Sequence, residues 1–183
     1  MNPQENTLVA VARLLDKHGL PYMVIGGMAN AVWGVPRATL DIDVTVWTGA
    51  TPIEETIPCF TEGFRLRVED PAEFVLQTRV LPVESFEGVA VDVIYGLLPF
   101  EEQAIKRAVV RLVAGYRVRF CTAEDLVLMK IISDRPKDLG DARTILERRR
   151  DQLDQAYLEP RVRELADLLE KPEILVRFTE WST

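Results

Sequence analysis

The chain is poor in the residues that build metal centres from sulfur and nitrogen. It has two cysteines and one histidine in 183 residues, and Cys59 and Cys121 lack the spacing of a zinc site. We therefore expect small free thiols in a reducing compartment, with neither a disulfide nor a zinc centre. The single histidine, His18, precedes Gly19 at a predicted helix end, where we expect a capping role and assign no chemistry.

Long apolar runs and an excess of positive charge are also missing. No apolar stretch approaches the ~20 residues that a membrane-spanning helix needs, and the opening segment MNPQENTL lacks the basic and then apolar layout of a signal peptide. We expect a soluble, cytoplasmic protein. The formal net charge of −7 argues against broad, non-specific attraction to nucleic acid, although a local basic patch stays compatible with it.

Two aspartates stand in a β-branched, apolar run that reads as a strand. Because strand side chains alternate between faces, Asp41 and Asp43 project from the same face. Two carboxylates at that range repel each other unless a cation lies between them. Hard divalent cations such as Mg²⁺ prefer oxygen ligands, so the pattern predicts a metal site. The intervening and following residues are predicted to enter the core: Ile42, Val44 and Val46.

A glycine pair, Gly26-Gly27, precedes these acids and follows a predicted strand, Tyr22 to Ile25. Glycine lets the backbone approach a ligand closely, and a helix starting at Met28 would favour an anion at its N-terminus. The pair therefore predicts a phosphate cradle. The alternative is a tight turn from strand to helix that binds nothing.

A third acid, Asp92, lies in the apolar run from Val89 to Ile94. A hairpin between residues 79–83 and 89–95 would carry this strand into the sheet beside the first two acids. A lone carboxylate on a largely apolar strand face is costly to bury, and a cation would remove that cost. The alternative is an edge-strand carboxylate that faces solvent.

These motifs, Gly26-Gly27, Asp41-x-Asp43 and a distant Asp92, resemble the nucleotidyltransferase superfamily of the polymerase beta type. The stretch from Thr122 to Asp141 more narrowly resembles the minimal nucleotidyltransferases that include AbiEii-type toxins of toxin–antitoxin systems. The resemblance covers about residues 5 to 150. It implies an α/β (α+β) fold with a mixed sheet flanked by helices, a nucleotidyltransferase core over residues 1–121 and a helical C-terminal region over residues 122–183.

The resemblance also implies an activity. A nucleoside monophosphate would pass from a nucleoside triphosphate such as ATP to a hydroxyl of RNA, tRNA or protein, with two Mg²⁺ ions (or Mn²⁺) as cofactors and a cognate antitoxin as a possible partner. The resemblance assigns catalysis and metal binding to Asp41, Asp43 and Asp92. Asp92 would also receive the proton that the acceptor hydroxyl loses. Nucleotide binding falls to Gly26, Gly27, Arg37, Lys130 and Lys137.

Several of these assignments have alternatives. Arg37 would bind a triphosphate oxygen, neutralise the acids when metal is absent, or form a surface salt bridge. Lys130 or Lys137 would reach the phosphates while Asp138 holds such a lysine in place, or these charges are ordinary for a helix start. Arg117 and Arg119 share a strand face that either contacts a polyanionic acceptor such as RNA or is simply solvated.

Two other functions compete with a toxin-type transferase. One is a non-catalytic nucleotide- or partner-binding module on the same fold, although degenerate copies tend to lose the acids that this chain keeps. The other is a small-molecule nucleotidyltransferase of the aminoglycoside type, for which we expect the chain to be short.

Overall fold

The computed structural model describes residues 2–182. Over this range seven strands form one mixed sheet: β1 (Tyr22–Val24), β2 (Asp41–Val46), β3 (Phe64–Leu66), β4 (Val80–Ser85), β5 (Ala90–Tyr95), β6 (Val109–Val113) and β7 (Tyr116–Phe120). The strand order is β3-β4-β5-β2-β1-β7-β6. The predicted mixed sheet is thus confirmed, with β2 and β5 as inner neighbours.

The α-helices of the described range are α1 (Pro3–Lys17), α2 (Gly26–Trp33), α3 (Ile53–Phe60), α4 (Pro71–Thr78), α5 (Pro99–Arg107), α6 (Ala123–Ile131), α7 (Pro136–Arg149), α8 (Gln155–Leu168) and α9 (Glu173–Ser182). None of those described is long and apolar enough to cross a bilayer. The chain divides into two compact units. The first holds residues 2–28 and 38–121 and contains the sheet, and the second joins residues 29–37 to residues 122–182.

Strand pairing in the first unit places the predicted acids. β2 runs parallel to β5, and Asp43 pairs with Asp92. β4 and β5 form the predicted antiparallel hairpin, which turns at Gly88 with φ +79°. The prediction ended the first hairpin strand at Val83, whereas β4 continues to Ser85. The predicted core residues of β2, Ile42, Val44 and Val46, are all fully buried.

Helix α1 begins five residues before the apolar pattern that predicted it, which started at Leu8. Its polar first turn is held by a capping box, in which Asn2 accepts from the Glu5 N–H while the Glu5 side chain accepts from the Asn2 N–H. The helix ends at His18 as its C-terminal cap, and Gly19 follows with φ +63°. The predicted capping position of His18 is confirmed, and its ring also lies 3.1 Å from Glu62.

The second unit packs α6 to α9 around an apolar core that includes Leu126, Ile145 and Leu158. Thr122 caps α6, because its hydroxyl oxygen accepts from the Asp125 N–H at 3.1 Å. Within the same unit, Arg149 donates to the carbonyl oxygen of Trp33 at 2.6 Å and lies 5.2 Å from the centroid of that ring. A cation thus satisfies the C-terminal end of α2.

Candidate active site

Three carboxylates meet on one face of the sheet. Oxygen atoms of Asp41, Asp43 and Asp92 all lie within 4.8 Å of one another. Asp41 and Asp43 come from alternate positions of β2, and the parallel register sets Asp92 of β5 directly beside Asp43. Asp41 is exposed and the other two are half-buried. The cluster is therefore open to solvent on one side, as a site for an exchangeable ligand must be.

The pKa of Asp92 is perturbed by its surroundings in the cluster. Burial raises the pKa of the Asp92 carboxyl above its usual range, and the negative charge of Asp41 raises it further. The positive charge of Arg67 opposes both effects without cancelling them. Desolvation and a like charge both disfavour the ionised form, so a bound cation would stabilise the three carboxylates together.

The glycine pair gives these acids room. Gly26 has φ +61°, and a Cβ atom built there would lie 1.9 Å from Oδ2 of Asp43. A Cβ atom on Gly27 would lie 2.5 Å from Oγ1 of Thr39. Helix α2 begins at Gly26, two residues before the predicted start at Met28. The two glycines thus allow side chains of the site itself to approach the backbone. Neither the predicted phosphate cradle nor the alternative of a tight turn included this arrangement.

Thr39 is a site residue that the predicted set of binding and catalytic residues does not contain. Its hydroxyl donates to Oδ1 of Asp41 at 2.9 Å and lies 3.2 Å from the Asp41 carbonyl oxygen. The side-chain amide of Gln4, in the first turn of α1, donates to the Thr39 carbonyl oxygen. A threonine two residues before an acid is a local signal for the first contact. The sequence offers no such signal for Gln4, which is 35 positions away.

Two of the predicted nucleotide-binding cations belong to an ion cluster in the second unit. Lys130 is only 5% exposed, and its Nζ lies 2.8 Å from Oδ1 of Asp138 and 2.9 Å from Oδ2 of Asp141. Arg37 is half-buried and approaches Asp141 with two nitrogens, at 2.9 and 3.3 Å. Lys137, the third predicted cation, is exposed on the first turn of α7.

The carboxylates of this ion cluster stay ionised. Burial works to raise the pKa of Asp138, but the hydrogen bond and charge of Lys130 outweigh it and the pKa is lowered. The pKa of Asp141 is lowered in the same way, with burial opposed by Arg37 and Lys130. Each acid thus faces at least one cation, and the charges of this largely buried group are balanced within its own unit.

No protein-family model matches the chain, and no curated protein is similar to it in sequence. Solved structures do resemble it. An antigenic nucleotidyltransferase-like protein from Paracoccidioides brasiliensis superposes with a TM-score of 0.56 at 14% identity, over 96% of this chain and 91% of that one.

An antibiotic-resistance factor and an antibiotic adenylyltransferase are similar to a comparable extent. The antibiotic-resistance factor ANT(2'')-Ia has a TM-score of 0.56 at 16% identity, over 98% of each chain. The lincosamide adenylyltransferase LnuA, solved with lincomycin, has a TM-score of 0.52 at 13% identity, over 79% of this chain and 96% of that one. At such identities the likeness concerns the fold, and it confirms the predicted nucleotidyltransferase fold.

Proposed function

We propose that the protein is a metal-dependent nucleotidyltransferase that moves a nucleoside monophosphate from a nucleoside triphosphate to a hydroxyl acceptor and releases pyrophosphate. The observation that carries the proposal is the convergence of Asp41, Asp43 and Asp92 within 4.8 Å on neighbouring strands of a nucleotidyltransferase fold. The solved structures that share the fold include a lincosamide adenylyltransferase, whose name describes this class of reaction.

The donor set of the cluster fits a hard divalent cation. It offers carboxylate oxygens alone, without a sulfur or nitrogen ligand, and such oxygens suit Mg²⁺ or Mn²⁺. The pKa of Asp92 is raised first by burial and then by the negative charge of Asp41, and a bound cation would oppose both effects. Asp41, Asp43 and Asp92 would hold the cations. When bound, they would supply Lewis-acid activation of the acceptor hydroxyl and charge stabilisation of the departing pyrophosphate.

The residues of the chain supply the remaining chemistry. Burial, and after it the negative charge of Asp41, raises the pKa of Asp92, and its carboxylate is the proposed acceptor of the proton that the attacking hydroxyl loses. Thr39 holds the Asp41 carboxylate in one orientation through its 2.9 Å hydrogen bond. We assign triphosphate binding to the glycine pair and to Arg37, Lys130 and Lys137, as the family resemblance implies.

The same resemblance extends the proposal further. We infer that ATP is the donor, that RNA, tRNA or protein is the acceptor, and that the protein works in the cytoplasm as the toxin of a toxin–antitoxin pair with a cognate antitoxin. The organisation into a catalytic core over residues 1–121 and a helical region over residues 122–183 belongs to this proposal as well.

A small-molecule acceptor is a second candidate. The expectation that this chain is short for an aminoglycoside-type enzyme was wrong, since ANT(2'')-Ia is matched over 98% of its own length. Length therefore favours this candidate as much as the first. A screen of antibiotics as acceptors, with labelled nucleoside triphosphates, would identify it.

The proposed chemistry is tested by replacing one carboxylate at a time. We expect the wild-type protein to bind Mn²⁺ saturably in calorimetry, to bind a nucleoside triphosphate only with metal, and to transfer label to an acceptor in total RNA or protein extract. Asp43→Asn should lose all three properties while its circular dichroism stays unchanged. The exposed Asp151→Asn, in the second unit, is the matched control and should keep them.

Two results would contradict the proposal. Transfer by Asp43→Asn at the wild-type rate would mean that the Asp43 carboxylate takes no part in the reaction. Tight nucleotide binding by the wild-type protein without any metal, together with no transfer to any fraction, would instead identify the non-catalytic binding module.

A further inference from the structure

One stretch of the chain carries positive charges and no negative ones. Residues 103–123 contain five basic residues and no acidic one, in a protein whose formal net charge is −7. The basic residues are Lys106, Arg107, Arg111, Arg117 and Arg119. They lie on the last turn of α5 and on the edge hairpin formed by β6 and β7. A local excess of this kind attracts polyanions even when the whole protein is acidic.

The strand register places part of this stretch on the face that carries the acids. Val24 of β1 pairs with both Val44 and Phe120, so these three buried side chains share the apolar face. Residues one position away, including Asp43 and Arg119, therefore lie on the opposite face. From the strand spacing and the rise per residue, their Cα atoms are roughly 12 Å apart.

Arg117 lies on that same face, because it is two positions from Arg119 on β7. Both side chains are exposed, and within residues 2–182 neither forms an ion pair. Their neighbours across the hairpin are Leu112 and Val110, and Leu112 is 71% exposed. The face thus offers two guanidinium groups beside an apolar surface that other elements leave uncovered.

A shallow depression continues this surface onto α5. Arg119 lines a cavity of about 310 Å³ together with Lys106, which also pairs with Glu102 at 2.6 Å. The acid that lines this cavity is Asp16, and its carboxylate already accepts a hydrogen bond from the Tyr116 hydroxyl at 2.8 Å. Lys106 and Arg119 thus outnumber Asp16 among the charged residues that line the depression.

We propose that this basic face, defined by Lys106, Arg117 and Arg119, binds the sugar-phosphate backbone of RNA. The guanidinium group matches phosphate oxygens in geometry, and two of them on alternate strand positions suit an extended polyanion. One further step rests on the proposed function: the hydroxyl acceptor of the transfer is RNA, which is held on the face of the sheet that carries the acids. A cationic small-molecule acceptor would be repelled from the same face.

The test measures RNA binding without metal or nucleotide, so it does not depend on the proposed chemistry. The probe is a fluorescein-labelled single-stranded RNA of about 20 nucleotides, titrated in EDTA at several salt concentrations. Each lost phosphate contact lowers the slope of log affinity against log salt by about 0.7, so Arg117→Gln/Arg119→Gln should lower it by about 1.4 and weaken binding roughly 25-fold at 0.1 M salt.

A matched control removes the same charge elsewhere. Arg148 and Arg150 are also exposed and two positions apart, and Arg148→Gln/Arg150→Gln should keep the wild-type affinity and salt slope. Asp43→Asn should bind RNA as the wild-type protein does, which separates this site from the metal site. The Arg117→Gln/Arg119→Gln protein should keep wild-type Mn²⁺ binding in calorimetry.

Three outcomes would overturn the proposal. The first is equal RNA affinity and equal salt slope for the wild-type protein and Arg117→Gln/Arg119→Gln. The second is an equal loss in the control pair, which would reduce the effect to net charge. The third is binding of polyglutamate but not of RNA by the wild-type protein, which would assign the face to an acidic protein instead.

Discussion

Gly26→Ala is the substitution whose effect follows most directly from the geometry of the site. The residue has φ +61°, a conformation that costs a residue with a Cβ atom about 1 kcal/mol. That cost lowers the free energy of unfolding but leaves the chemistry alone. The larger effect comes from the Cβ atom itself, which would lie 1.9 Å from Oδ2 and 2.7 Å from Cγ of Asp43.

Atoms at that separation cannot coexist, so the Asp43 carboxylate must move by about 1 Å or more. A misplacement of about 1 Å in a reacting group can lower the rate roughly 100-fold, which corresponds to about 2.7 kcal/mol in the activation free energy. We therefore expect Gly26→Ala to fold with slightly lower stability, to bind Mn²⁺ at least tenfold more weakly, and to lose two orders of magnitude in kcat/KM for transfer.

Gly49→Ala is the matched control. Gly49 has the same φ of +61°, and a Cβ atom built there meets nothing within 4 Å. Urea unfolding, Mn²⁺ calorimetry and transfer of labelled nucleotide would be measured on both variants. Both should lose about 1 kcal/mol of stability, and only Gly26→Ala should lose metal binding and transfer. Equal metal affinity in the two variants would refute the argument from the Asp43 contact.

Three further predictions follow from other contacts. Thr39→Val should weaken Mn²⁺ binding by about tenfold in calorimetry, because a hydrogen bond to a charged group contributes about 1.5 kcal/mol, and Thr39→Ser should restore it. The pKa values of Asp138 and Asp141 are lowered in the folded protein. Their contribution to the free energy of unfolding is therefore complete above the unfolded pKa of about 3.9 and is lost as the pH falls from there through the lower folded pKa. The urea midpoint should drop in this pH range, and it should drop less steeply in Asp138→Asn. Lys137→Gln should raise KM for the nucleotide while the urea midpoint stays unchanged.

Much of the acidic site follows from local patterns. A period of two in a β-branched run is enough to place Asp41 and Asp43 on one face, because a strand offers a side chain only two directions. The apolar run around Asp92 and its hairpin partner predict a third strand in the same sheet. Parallel pairing of the strands that hold Asp43 and Asp92 is the step that local patterns do not contain.

The supporting contacts were beyond prediction because they join distant parts of the chain. Gln4 reaches Thr39 across 35 positions, and no periodicity links a polar first turn of a helix to a loop before a strand. Residues 29–37 likewise associate with residues 122–182, although the sequence places them between the glycine pair and the acids. Such contacts depend on how helices and strands pack after they have formed, and patterns among neighbouring residues in the sequence do not predict that packing.

The same limit applies to the cations assigned to the nucleotide. A sequence shows that Lys130 and Lys137 are basic, but not which of them already has a partner. Lys130 is buried against two carboxylates, so turning it toward a phosphate would break both contacts and leave Asp138 with Arg135 and Asp141 with Arg37 as their remaining cations. Lys137 is exposed and can pair with a phosphate without that cost. Of the two lysines assigned to the triphosphate in the proposed function, Lys137 therefore binds it at the lower cost.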